Sequence, residues 1–358
     1  MEEFLRQMMK EFNPYHLDKG MTYEDGLFLL AIEKYYQITH NMDYLRYIQS
    51  YVDQHVDSTG YIKNYHLEDY NIDNILAGNI LFFLYDHFKD NKYLQTINLL
   101  REQLRTQPRT CSGSFWHKLR YPYQIWLDGL YMGQLFYLKY ALLIREEDIL
   151  QDVLHQFNNV KRYLWDHKRK LYCHAFDEQK NMQWSDPITG RSANIWSRSV
   201  GWYAMALVEA YELFPLDRIK GKNSLSNLLE ELLEGMTPHQ DPKSHMWYQL
   251  VDKPLLEKNY LETSGSAMLA YAMLKGSRIG MIKKSYWEKG VQTVNGIEET
   301  YLKKSPYGYV LEGTCKVAGL DNEKRDGSDK YYLSEPIAAN EIKGVAPYLF
   351  CLTELMRR

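Results

Sequence analysis

The segment YPYQIWLDGLYMG, residues 121–133, carries one carboxylate, Asp128, inside an otherwise apolar and aromatic run. Moving a charge away from water is costly, so the flanking Trp126 and Tyr131 disfavour the ionised form of the acid. A carboxyl group that keeps its proton can serve as a general acid. A second carboxylate nearby would push the same way, and Asp73, in YNIDNILAGN, is the candidate. Upstream of Asp128 the stretch FWHKLRYP supplies His117 and Lys118. Downstream, YCHAFD supplies His174, and NIWSRSVGWY supplies Trp196, Arg198 and Trp202. Indole rings can stack on a sugar, and a guanidinium pairs a carboxylate through two parallel hydrogen bonds. Together these residue types suit acid–base chemistry on a carbohydrate that bears a carboxylate.

Each candidate also has a plainer reading. Asp, Asn, Ser and Thr ahead of a helix are common N-caps, and acids there complement the helix dipole. Asp73 reads equally as a cap, Trp202 as core packing, and His174 as a structural histidine. Glu24, Asp25, Glu262 and Glu341 are assigned to capping.

The elements that must position these side chains emerge from six apolar runs, each opened by a glycine. They begin at Gly26, Gly78, Gly129, Gly201, Gly265 and Gly344, for example GLFLLAIEKYYQIT and GSAMLAYAMLKGSRIG. Helices apolar over most of their circumference are buried ones. Between them lie amphipathic segments at 43–55, 91–106, 146–164 and 222–235, which read as outer helices. Such self-similarity signals a repeat architecture. The pattern predicts an all-α fold, an (α/α)6 barrel of six helical hairpins forming one domain over 1–358, with an open solenoid as the alternative. The glycines allow close approach where the inner helices converge. Alternating segments at 171–177 and 245–252 predict short β-hairpins on the rim. If the inner helices run parallel, the polar residues ahead of each glycine converge at one end: Tyr23, Asp73, Asp128, Arg198, Glu262 and Lys343 among them.

Composition excludes several function classes. A net charge of −3 and a pI near 6.4 give no basic footprint for nucleic acid or an anionic membrane. No apolar run is long enough to span a bilayer. The four cysteines suggest neither a metal knuckle nor a disulfide framework, and the N-terminal twenty residues lack a signal-peptide core. A cytoplasmic protein is expected. No P-loop, HExxH, GxSxG or dinucleotide fingerprint occurs, so no metal and no cofactor are implied. Oligomeric state is left open. The 31 tyrosines and 8 tryptophans suit both a large core and a sugar-lined cleft.

The ordered motifs FWHK…YPYQIWLDGLYMG, IWSRSVGWYAMALVE, MWYQLVD…NYLETSGSAMLAYAM and YYLSEPIAANEIKGVAPYLF resemble glycoside hydrolase family 105, the unsaturated rhamnogalacturonyl hydrolases. The resemblance implies an (α/α)6 barrel, Asp128 as general acid and base, and Asp73 as a second active-site aspartate. It places Tyr23, His117, Lys118, His174, Trp196, Arg198 and Trp202 in contact with substrate. The implied substrate is an unsaturated uronyl oligosaccharide released by a pectin lyase. Two positions depart from the family pattern: Leu135 where proline is frequent, and Ser197 where alanine is more usual. Three other readings stay open. They are an unsaturated glucuronyl hydrolase acting on glycosaminoglycan fragments, an inverting glycosidase using two carboxylates, and a non-catalytic helical-repeat scaffold that binds glycan or protein.

Overall fold

The computed structural model describes residues 1–12 and 20–357; part of the charged N-terminal stretch, 13–19, lies outside the described residues. Six inner helices stand side by side. They are Tyr23–Thr39, the broken pair Asp73–Leu76 and Asn79–Phe88, the π-turn Leu130–Gln134 continuing as Leu135–Ile144, Ser197–Leu213, Thr263–Arg278 and Ile342–Met356. Each contacts the next, and the sixth contacts the first, so the ring closes. The fold is the expected (α/α)6 barrel. The solenoid alternative fails because an open array would leave its first and last inner helices apart.

Five outer helices follow their inner partners: Met42–Asp53, Asn91–Thr106, Glu147–Leu164, Ile219–Met236 and Ser285–Tyr301. Their patterning explains their place. Met42–Asp53 buries Tyr44, Leu45, Ile48, Tyr51 and Val52, a stripe at helical spacing. The sixth outer helix comes from the other end of the chain. Glu2–Phe12 buries Phe4, Leu5, Met8 and Phe12 and sets Phe4 6.4 Å from Tyr348 of the last inner helix. The first and last segments thus close the ring together.

Four of the six glycines sit inside the helices, while Gly78 and Gly129 hold the N-cap positions of Asn79–Phe88 and of the π-turn. The first inner helix begins at Tyr23, and Ser197 precedes Gly201 within the fourth. The polar residues ahead of the glycines therefore occupy first turns, where backbone N–H groups lack intrahelical partners. Close approach is the reason for glycine at two starts. A side chain on Gly26 would lie 2.5 Å from Ala77 Cα, and one on Gly265 2.6 Å from the Ser197 carbonyl carbon.

The rim strands differ from expectation. Segment 171–177 divides between two small sheets: Leu171–Tyr172 forms a hairpin with Trp165–Asp166, whereas Ala175–Asp177 pairs with the sequence-distant Gln124–Trp126. Segment 245–252 forms no regular strand and makes only single bridges, Trp196 to Leu250 and Tyr248 to Leu261. Its backbone groups are instead shared among several loops, as in Gln249 N donating to Tyr260 O. Two unanticipated hairpins, Leu302–Ser305 with Gly308–Leu311 and Thr314–Cys315 with Ile337–Ala338, complete the rim. No helix among the described residues is long and apolar enough to cross a membrane.

Candidate active site

First turns of five inner helices meet at one end of the barrel and line a cavity of about 160 Å³: Tyr23, Asp73, Asp128, Arg198 and Lys343 each face it. The fifth inner helix supports from behind, through Ser264 Oγ accepting from Arg198 Nη1 at 3.3 Å. The loop before Asp128 adds His117, Lys118, Arg120, Tyr121 and Trp126.

Asp128 is held by the rim strand pair. Leu127 N donates to His174 O at 3.1 Å, and Trp126 pairs with Ala175 across the strands. The chain then enters a π-turn, Leu130–Gln134, a distortion frequent at functional sites. Asp128 caps nothing: its buried Oδ2 has no hydrogen-bond partner. Buried polar atoms are overwhelmingly paired, so this carboxylate oxygen stands out.

Asp73 is not a cap either. Lys118 Nζ lies 2.5 Å from its Oδ2, and His117 Nε2 lies 3.4 Å from its Oδ1. Burial raises its pKa, but the Lys118 charge, with His117 and Arg120, outweighs burial and holds the carboxyl below the usual range. His117 goes the other way. Burial pushes its pKa down to about 4, against the pull of Asp73. The imidazole is neutral at physiological pH, and Lys118 is the cation paired with Asp73. The His117 ring stacks on Trp126 at 4.6 Å, and Tyr121 stacks on the same indole at 4.9 Å.

Arg198 is 1% exposed and donates through Nη1 to Cys315 O at 2.6 Å. Burial opposes its charge, but Cys315 and the Glu262 carboxylate facing it outweigh burial and its pKa is raised. Its plane lies over Trp196, 4.8 Å from the ring centre. Trp202 stacks on Tyr131 at 5.1 Å and also reaches the cavity wall.

Eight of the nine expected site residues line the cavity. His174 does not. It is fully buried, with Nδ1 2.6 Å from the Tyr332 hydroxyl and Nε2 3.4 Å from Asp128 Oδ2. The strand pair that fixes Leu127 to the His174 backbone carries the imidazole behind the acid, so it backs Asp128 instead of facing the lumen. Of the acids assigned to capping, Asp25 completes a capping box with Thr22, and Glu262 accepts from Gly265 N at 2.6 Å. Glu24 and Glu341 do otherwise: both pair with Lys343.

The arrangement can be set against known proteins. Residues 1–358 match Glycosyl Hydrolase Family 88. The chain belongs to this family. A solved family 105 glycoside hydrolase from C. acetobutylicum superposes with a TM-score of 0.95 at 39% identity, covering 99% of each chain. The unsaturated rhamnogalacturonyl hydrolase YesR of Bacillus subtilis is 26% identical over 292 residues, 80% of this chain and 78% of YesR. An unsaturated glucuronyl hydrolase from Bacillus sp. GL1 shares the fold, with a TM-score of 0.72 at 13% identity over 99% and 96% of the two chains.

This family 88 barrel also carries cavity residues outside the expected set of nine. Sequence reasoning places Lys343 among the converging residues ahead of the glycines but gives it no role, and passes over Arg120, two residues past Lys118. Arg325 and the small-residue wall Val317, Ala318 and Gly319 come from a long rim connection. Nothing in their local sequence marks them. With them the cavity holds five cationic side chains, Lys118, Arg120, Arg198, Arg325 and Lys343, against two carboxylates. Among the described residues no group of three or more His, Cys, Asp or Glu is placed to hold a metal ion.

Proposed function

We propose that this glycoside hydrolase hydrates the C4=C5 double bond of a terminal unsaturated galacturonyl residue on oligosaccharides cut from rhamnogalacturonan by a lyase. The observation that carries the reading is the Asp128 carboxyl, backed by His174 Nε2 at 3.4 Å and with its buried Oδ2 free of any hydrogen bond, in a cavity with a cationic excess and indole walls. An anionic sugar matches that charge, and the likeness to YesR favours the galacturonyl form.

The terminal sugar is an enol ether, with the double bond conjugated to the ring oxygen and to the carboxylate. Asp128 in its acid form gives its proton to C4, and positive charge develops at C5 and the ring oxygen. The resulting carboxylate takes a proton from a water as that water's oxygen bonds to C5, which restores the acid. The product hemiketal opens at the C5–O5 bond to a ketone, leaving a hemiacetal at C1. That hemiacetal expels the adjoining sugar as an alcohol and becomes an aldehyde. One residue serves as acid and then base, so the paired-carboxylate spacing of ordinary glycosidases is not required. His174, behind Asp128, orients the carboxyl group. Asp73, held ionised by Lys118, accepts from a substrate hydroxyl, and Arg198 and its cationic neighbours hold the uronate.

Asp128→Asn tests the assignment by the loss of absorbance from the conjugated double bond. Turnover near wild type sinks it. Comparing unsaturated disaccharides from pectin and from glycosaminoglycans separates the galacturonyl reading from the glucuronyl one. Faster turnover of the glycosaminoglycan product transfers the protein to the second class.

A further inference from the structure

A small space of about 10 Å³ adjoins the catalytic cavity at His117 and Trp126, which line both. Every residue around it is buried. That volume is room for a single water molecule. Its walls are mostly apolar, with Ile72 and Leu130 among them, but two polar atoms interrupt them. His117 Nδ1 and Gln134 Oε1 are each buried without a hydrogen-bond partner. The remaining polar side chain, Gln156, is already engaged: it accepts from Phe115 N and donates to Gly113 O, both at 3.1 Å.

The local sequence builds this space. A side chain on Gly129 would lie 3.2 Å from His117 Nδ1 and 3.9 Å from Ile72 Cγ2, so glycine leaves the front of that nitrogen clear. Gln134 closes the π-turn Leu130–Gln134. Such a turn takes one residue more than an α-turn, and here it brings the glutamine to the wall. The His117 ring is fixed by its stack on Trp126, and its backbone N donates to Gln124 O at 3.0 Å. Its Nε2 faces Asp73 Oδ1 at 3.4 Å. An ionised carboxylate only accepts, so the proton of the neutral ring sits on Nε2 and Nδ1 is an acceptor. Gln134 Oε1 is an acceptor too. Two acceptors cannot bond one another, but a water can donate one O–H to each.

We propose that this space binds one ordered water that donates to His117 Nδ1 and Gln134 Oε1, and that Gln134 thereby acts as a positioning residue for His117. The water satisfies both buried atoms and keeps the Nε2–H edge of the ring turned to Asp73. Water-mediated bonds of this kind are nearly as favourable in enthalpy as direct ones.

Two measurements without substrate test the site. A high-resolution crystal structure should show one water within about 3.2 Å of both atoms. Nitrogen NMR of histidine-labelled protein near neutral pH, with the His117 signals assigned by their loss in His117→Phe, should show Nε2 protonated and Nδ1 bare but hydrogen-bonded. Gln134→Met keeps the length and removes the acceptor. Gly129→Ala, at a φ of −58° that suits alanine, fills the space and keeps Gln134. Both should lose the water and move the Nδ1 resonance to that of a free lone pair. Both should also lower kcat by about fivefold, the worth of one hydrogen bond. A space that holds no water, or a protonated Nδ1 bonded directly to Gln134, overturns the site, and the wild type alone decides this even if a variant does not fold. An unchanged kcat in a variant that has lost the water overturns the positioning role. Only that kcat arm rests on the unsaturated uronyl reading, whose own failure would show as absent turnover in the wild type.

Discussion

The two ends of the barrel place ionisable groups in the same kind of surroundings and use them oppositely. At the C-terminal ends of the inner helices, Glu209 accepts from Lys34 at 2.8 Å, Lys275 at 2.7 Å and the Tyr271 hydroxyl at 2.5 Å. Lys275, 1% exposed, also reaches Glu212 at 2.8 Å, and Arg278 Nε binds Glu354 at 2.5 Å. Four inner helices are tied together and every one of these charges is met. Burial opposes the Glu209 charge, but Lys275 and Lys34 overcome it and hold its pKa well below the usual range. At the N-terminal ends, Asp128 Oδ2 and His117 Nδ1 are buried without a hydrogen bond beside an open cavity, the former approached by His174 Nε2 at 3.4 Å. Burial of charge is thus common to structure and site. What separates them is whether the polar atoms are spent on one another or left for something else.

If that contrast is right, mutations at the two ends give opposite phenotypes. The largest effect belongs to Asp128→Asn. It should lower kcat by about 10²–10⁴-fold, the share usual for positioned general acid–base catalysis. Stability should fall by no more than about 1 kcal/mol, since the polar contact altered is the 3.4 Å approach of His174 Nε2. Turnover assays with denaturant unfolding on the same preparation read both quantities. A large loss of stability would return Asp128 to a structural role.

Glu209→Gln should do the reverse. Removing one partner of a buried ion network leaves Lys275 and Lys34 short of a counter-charge, at a cost of about 3–5 kcal/mol. Activity per folded molecule should be retained, because Glu209 lies far along its helix from the Arg198 turn. Urea unfolding read with kcat at low denaturant decides it. An intact midpoint would mean that the network contributes little.

Acid should strike the two ends in different pH ranges. The Glu209 pKa is lowered from 4.5, so its contribution is full above about pH 4.5 and is lost as pH falls below that value. The pKa of His117 is lowered from 6.5 to about 4. Folding disfavours its protonation, so stability is full above pH 6.5 and declines between 6.5 and 4, before the Glu209 network is touched. His117→Phe should flatten the unfolding free energy between pH 6.5 and 4 and leave the steeper loss below 4.5. An unchanged slope above pH 4.5 would show that another group titrates there.

The same contrast explains what the sequence disclosed. Six long apolar runs announced six buried helices and favoured a closed ring over an open solenoid, a choice decided by the contact between the first and last inner helices. An acid in an apolar run pointed to Asp128, yet Glu209 in GWYAMALVEAYELF gives that very signal. Position distinguishes them: Asp128 opens its helix and Glu209 closes its own. The partners of Glu209 are 175 and 66 residues away in sequence, a separation that no local pattern encodes. Arg325 and the 317–319 wall were invisible for the same reason, being delivered by a rim connection whose path depends on the assembled barrel. His174 was found by type and misplaced by orientation, because alternation along 171–177 does not reveal that the strand divides at Cys173 and His174.

The smallest expected effect sharpens the comparison at one hydroxyl. Ser197 opens the fourth inner helix beside Arg198. Its side chain is buried, packs against Gly265, and leaves Oγ without a hydrogen-bond partner. Unlike the unpaired atoms of Asp128 and His117, it belongs to a residue that does not line the cavity, so it is unspent without being available. A buried hydroxyl with no partner carries a desolvation cost. Ser197→Ala should therefore stabilise the protein by up to about 1 kcal/mol, with kcat and KM unchanged. Thermal unfolding and steady-state kinetics of this single variant test both halves. A rise in KM would place the hydroxyl among the groups that meet the substrate and move the boundary between the structural and reactive parts of this turn by one residue.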